Sequence, residues 1–158
     1  MLLVLAGCGY QTAGRTLPGG ARSVRVELPD PSRIDEPELA PLLASALCRE
    51  LARAGVAAST LGRADTVLRT RILALAGLRP VVGPSSRVAA SDLVLRLELS
   101  LERAGRALWR SGLVEVEAIW PVTGADPLRA EASRRAALER LSAEAARRAA
   151  TLLVSLTP

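Results

Sequence analysis

Five leucines at every second position, Leu93, Leu95, Leu97, Leu99 and Leu101, constrain the fold of this chain more than any other feature. Between them stand Val94, Arg96, Glu98, Ser100 and Glu102. A helix scatters alternate positions around its circumference, whereas a strand sends them to opposite sides. The segment therefore predicts a β-strand with one aliphatic, buried face and one wet face. Such a face needs a second layer to cover it.

The same alternation recurs three times. In Ser23 to Leu28, Val24, Val26 and Leu28 alternate with Ser23, Arg25 and Glu27. Thr66 to Leu78 reads as a second strand, with Leu68, Thr70, Ile72, Ala74 and Ala76 on one side and Arg69 and Arg71 on the other. The leucine strand is the third. After a tight turn at Ala104-Gly105, Leu108 to Trp120 forms the fourth, where Val114, Val116 and Ala118 oppose Glu115 and Glu117. Pro80 to Ala90, with Gly83-Pro84-Ser85-Ser86, reads as a longer loop, and Pro121 and Gly124 close the last strand.

Two segments carry helical periodicity and supply the covering layer. From about Glu38 to Ala54, Leu39, Leu43, Leu47 and Leu51 fall four apart and join Leu42 and Ala46 in one stripe. Pro41 fits in the first turn, and Gly55 supplies the stop. Asp126-Pro127 sets an N-cap before a first-turn proline, and Leu128 to about Leu156 is helical. Glu131 to Arg135 and Glu144 to Arg148 are spaced as i,i+4 pairs. The fold class is α+β, in the order β-α-β-β-β-α, with two helices packed on one face of a four-stranded mixed sheet. A right-handed first crossover makes the first two strands parallel if they are neighbours. A chain of 158 residues fits one domain, expected over residues 23–158.

Composition narrows the chemistry. There is no His, which removes the commonest general base and metal ligand. Cys8 and Cys48 are the only thiols, too few for a structural zinc site and without redox spacing. Neither a metal nor a cofactor is expected, and Cys48, in an Ala/Leu-rich helix, reads as an inert buried thiol. With no Phe, one Tyr and two Trp, the chain lacks the stacking surface of single-stranded nucleic-acid binders, so no nucleic-acid partner is expected. All the basic residues are Arg, and the net charge is +5. An Ala- and Arg-rich composition fits a GC-rich genome; the functional alternative is guanidinium contact with phosphate or carboxylate groups.

The amino terminus has its own signal. Leu5-Ala6-Gly7-Cys8 resembles the lipobox of bacterial lipoproteins, in which a peptidase cuts before a diacylglyceryl-modified Cys. The apolar Leu2 to Leu5 before it fits a short h-region. The alternative is a strand that happens to hold a Cys. On the lipobox reading residues 1–7 are a signal-peptide remnant, Cys8 is the lipid-attachment site, and residues 8–22 are a lipidated tether. Gly9 after the Cys favours the outer membrane, by resemblance to the enteric sorting rule.

With that start, the chain resembles the LptE family of lipopolysaccharide-assembly lipoproteins. The resemblance is carried by Leu5-Ala6-Gly7-Cys8-Gly9-Tyr10, Val24-Arg25-Val26-Glu27-Leu28-Pro29 and Glu36-Pro37-Glu38-Leu39 leading to Ala46-Leu47-Cys48-Arg49-Glu50-Leu51. It continues in Ala64-Asp65-Thr66-Val67-Leu68, Ala107-Leu108-Trp109-Arg110 and the closing Ala/Arg-rich helix. It implies a non-enzymatic, lipid-anchored subunit on the periplasmic face of the outer membrane. Its implied partners are the LptD β-barrel, whose lumen it plugs and whose maturation it assists, and lipopolysaccharide. The candidate lipopolysaccharide contacts are Arg69 and Arg71 on a strand, Arg87 in the loop and Arg106 beside the hairpin. Another envelope adaptor, an auxiliary subunit of a lipid transporter or an activator of peptidoglycan synthesis, would share the anchor and the mixed fold. An enzyme would have to rely on paired carboxylates, and Glu115 with Glu117 on one strand read instead as a solvated or partner-facing edge.

Overall fold

The structure, a computed structural model, describes residues 17–30, 34–82, 88–121 and 127–154. Its elements are β1 (Ser23–Val26), α1 (Leu39–Arg53), β2 (Ala57–Ser59), β3 (Thr66–Val82), β4 (Val88–Arg103), β5 (Arg106–Pro121) and α2 (Pro127–Val154). The strands form one mixed sheet in the order β2-β1-β3-β4-β5. β1 and β3 are parallel neighbours joined through α1, as expected, and β3, β4 and β5 form an antiparallel meander.

The leucine ladder makes the floor of the core. All five β4 leucines are buried, and the β5 residues Val114 and Val116 are buried beside them. On β3, Leu68 and Ile72 join the same cluster. Both helices cover this face. α1 contributes Leu39, Leu43, Leu47 and Leu51, and α2 contributes Leu138, Leu141 and Leu153 among Ala137, Ala145, Ala146 and Ala149. Alanines on the inner face of α2 let the helices approach closely, so much of this core is backbone against small side chains. Pro41 lies in the first turn of α1, where its missing N–H costs nothing. At the other end Val56 N–H reaches Leu51 O at 2.9 Å across Gly55, whose φ is 83°, which is the left-handed cap a glycine best supplies.

Five strands replace the four expected. The addition, β2, pairs in parallel with β1 through Ser23↔Ala57, Val24↔Ala58 and Arg25↔Ser59. Its Ala-Ala-Ser sequence has no alternation and no β-branched residue, so only its position directly after the α1 cap makes it a strand. The two central strands also run further than their patterns suggest. β3 continues to Val82 and β4 begins at Val88, so the expected loop Pro80 to Ala90 is mostly paired backbone, and only 83–87 lie outside the described residues. Pro80 stands at a register shift, where a strand tolerates a missing donor.

A β-bulge reverses two side-chain assignments. An extra residue between Ile72 and Ala74 puts Leu75 opposite the buried Leu95, while Ala74 and Ala76 lie opposite Arg96 and Val94 on the side away from the helices, where Val94 is itself buried. The expected row Leu68, Thr70, Ile72, Ala74, Ala76 therefore breaks after Ile72, because one inserted residue moves every later side chain to the other face. In β5 the register shifts again between Arg110 and Leu113, where Gly112 has a φ of 67°.

On α2 the Glu144–Arg148 pair forms at 3.1 Å as expected, and Arg147 joins the same carboxylate at 2.5 Å. Glu131 pairs instead with Arg134, at 3.2 Å, and Arg135 lies 3.5 Å from Glu139. The reason is tertiary: Arg134 also reaches Glu36 in the segment entering α1 and tethers Glu131 at the same time. Pro127 opens the helix as expected, and Asp126 lies outside the described residues. Within the segment read as a tether, Pro18–Gly20 forms a single 3-10 turn flanked by Leu17 and Ala21, both buried in the core.

Candidate functional site on the open face of the sheet

The face of the sheet opposite the helices is wet because each strand sends its polar alternates there. β3 supplies Arg69 and Arg71, β4 supplies Arg96, Glu98, Ser100 and Glu102, and β5 supplies Arg110, Glu115 and Glu117. Register turns these into a ladder of ion pairs. Arg71 lies opposite Glu98 and meets it at 2.6 Å, and Arg96 lies opposite Glu115 and meets it at 2.5 Å. Arg69 lies between Glu27 at 3.2 Å and Glu102 at 3.3 Å. These pairs are exposed, so each stabilises the fold by at most about 1 kcal/mol and remains open to exchange with other ions.

A cleft of about 710 Å³ crosses this face, with Glu27, Leu28, Arg69, Arg71, Glu98 and Arg110 among its lining. The structure thus brings Arg69 and Arg71 together, each matched with carboxylates. Arg106 is apart from them, opposite Arg103 at the hairpin end, and no carboxylate pairs with it among the described residues. Arg87 and Cys8 lie outside the described residues.

Arg110 completes the cationic set and escapes a reading by alternation. Counting back by twos from the buried Val114 puts position 110 inside. The extra residue at Gly112 turns it outward instead, level with Ser100 and in the same cross-strand row as Arg69, and sends Trp109 toward the core. The glycine itself is the available signal, since an isolated Gly in a strand pattern marks a bulge. Arg110 is exposed and, like Arg106, has no carboxylate partner among the described residues. Large apolar side chains share this face in the open: Leu28 lines the cleft, and Leu113 and Ile119 are 61% and 64% exposed.

Other reactive groups are quiet. Cys48 is half-buried on α1, and burial pushes its thiol up despite the opposing charge of Arg49, which favours the unreactive protonated form. The hydrogen bonds that Arg134 donates to the Glu131 and Glu36 carboxylates hold its guanidinium above its ordinary value. Glu115 is occupied by Arg96, and Glu117 points to solvent from the same strand. Among the described residues no cluster of His, Cys, Asp and Glu could hold a metal ion, and no helix is long and apolar enough to cross a membrane.

The family model for LptE, described as lipopolysaccharide-assembly, matches residues 21–153. The chain belongs to the LptE family. The match takes in every strand and both helices, nearly to the end of α2. Solved structures share the fold of this LptE-family chain. A lipoprotein from Caulobacter crescentus is 19% identical, with a TM-score of 0.58 over 82% of this chain and 88% of that one. The rare lipoprotein B from Shewanella oneidensis is 16% identical, with a TM-score of 0.51 over 85% and 92%. A minor lipoprotein from Acinetobacter baumannii is 14% identical, with a TM-score of 0.54 over 85% and 91%. No curated protein matches the sequence.

Proposed function

We propose that this LptE-family protein is a non-enzymatic lipoprotein subunit of the outer-membrane lipopolysaccharide translocon. It is anchored through an acylated Cys8 on the periplasmic face, plugs an LptD-type barrel, assists that barrel's assembly and contacts lipopolysaccharide. The observation that carries this reading is the family match over residues 21–153. The open face supports it. Polar and apolar side chains stand exposed together there, a mixture suited to a protein partner with a polar lining.

Lipopolysaccharide contact is assigned to Arg69, Arg71, Arg87 and Arg106, with Arg110 added from the geometry. Arg106 and Arg110 can take a phosphate directly. Arg69 and Arg71 first release Glu27, Glu102 or Glu98, an exchange whose cost is small because the pairs are solvated.

Partner recovery tests the reading. The tagged full chain, purified from detergent-solubilised membranes, brings down an outer-membrane barrel. Recovery of a transporter or a penicillin-binding protein in its place overturns the assignment.

A further inference from the structure

β5 is the last strand of the sheet, and its outer edge has no neighbouring strand among the described residues. A long bare edge is a template for strand addition unless something covers it. Here α2 covers it partially, with side chains in place of backbone. Arg148 donates to Glu115 O at 2.7 Å and Arg140 donates to Ile119 O at 3.0 Å. The spacing matches: eight helical residues rise about 12 Å, and four strand residues span about 13 Å. Two guanidinium groups therefore hold the places where a further strand would donate its N–H groups. Between α2 and this edge runs a groove of about 580 Å³ lined by Leu113, Glu115, Glu144, Arg147, Arg148 and Leu152.

The outward side chains along the edge read Leu113, Glu115, Glu117, Ile119. A second copy of β5 is a poor occupant. The antiparallel register that brings Leu113 to Ile119 sets Glu115 against Glu117 twice, and the register centred on Glu117 sets it against itself. Like charges directly opposite destabilise a strand pair. A strand with two basic residues between two apolar ones on that face would meet every position favourably.

We propose that the β5 edge accepts an extended segment of a different protein as a sixth strand. That segment is antiparallel to β5, with an apolar-basic-basic-apolar row facing Leu113, Glu115, Glu117 and Ile119. Its N–H groups replace the Arg140 and Arg148 caps, which turn away from the Ile119 and Glu115 carbonyls toward solvent. Strand addition beside a helix is an established mode of peptide recognition, in which main-chain bonds give affinity and alternate side chains give selectivity. This surface is separate from the proposed lipopolysaccharide contacts and can fail while they stand.

The test uses the full chain and two synthetic peptides, Leu-Thr-Arg-Thr-Arg-Thr-Leu and the same peptide with Glu in place of both Arg. Amide hydrogen exchange at Glu115, Glu117 and Ile119 is followed with each. The Arg peptide slows exchange at these amides about tenfold and the Glu peptide leaves it unchanged, as new main-chain bonds at an open edge require. The Glu117→Arg variant, whose fold is checked by its unmoved melting temperature, loses the preference for the Arg peptide. Arg140→Gln with Arg148→Gln strengthens binding of the Arg peptide. Absence of protection by either peptide, equal protection by both, or dimerisation of the protein through β5 in sedimentation overturns the proposal.

Discussion

Ala104 has a φ of 49° in the turn joining β4 to β5, and Gly105 beside it has a φ of 77°. Two left-handed residues in succession make the hairpin turn whose twist matches its strands, and only the second is a glycine. Ala104→Gly is predicted to stabilise the protein by about 1 kcal/mol, the approximate cost of a left-handed Cβ, read as a higher urea midpoint. An unchanged or lower midpoint would contradict the strain. At the fully buried Leu97, replacement by Ala is predicted to cost about 2–5 kcal/mol. The same change at exposed Leu113 should cost under about 0.5 kcal/mol. Similar losses at both would mean that the leucine ladder is not the floor of the core. For the open face, Arg106→Glu with Arg110→Glu is predicted to lower lipopolysaccharide retention about tenfold, more than any reversal of an already paired arginine. Retention unaffected by that double change, and by Arg69→Glu with Arg71→Glu, removes the lipid assignment.

At the scale of elements, legibility followed the strength of each segment's own pattern. The leucine ladder, the α1 stripe and the long α2 were readable because a buried face imposes a period on many consecutive residues. β2 was not, since three small residues carry no period and owe their pairing to β1. Bulges hid the orientation of Ala74, Ala76 and Arg110, because alternation counts residues and a bulge adds one. Arg69 and Arg71 were readable as exposed arginines on β3. Their carboxylate partners were not, since Glu27, Glu98 and Glu102 come together only through register across strands. The same logic predicts that α2 tolerates little growth on its inner face. Ala146, fully buried there, leaves no room for branches, and Ala146→Leu should cost about 1–3 kcal/mol. A thermal melt reads the loss, and an unmoved midpoint would show a looser core than described.

Over the whole molecule, the two faces of the sheet have separate work. One is sealed by helices and supplies the stability; the other presents balanced charge with apolar side chains in the open, and on the proposed function it is the face that meets partners. Salt should therefore affect binding much more than folding. Raising salt screens the exposed Arg–Glu ladder and weakens contact with phosphate groups, while the apolar core is indifferent to it. The unfolding midpoint in urea is predicted to move little between low and moderate salt while lipopolysaccharide retention falls, and a parallel collapse of both would contradict that division.

On the proposed function the protein is lipid-anchored and acts by docking to a barrel, and mass analysis of the complex taken from membranes examines both parts at once. Native mass spectrometry of the tagged full chain, extracted in detergent, is predicted to show one copy bound to one outer-membrane barrel. Its released subunit should begin at Cys8 and carry the added mass of acyl chains. A chain recovered alone from the soluble fraction, with an unmodified Cys8, would contradict the account.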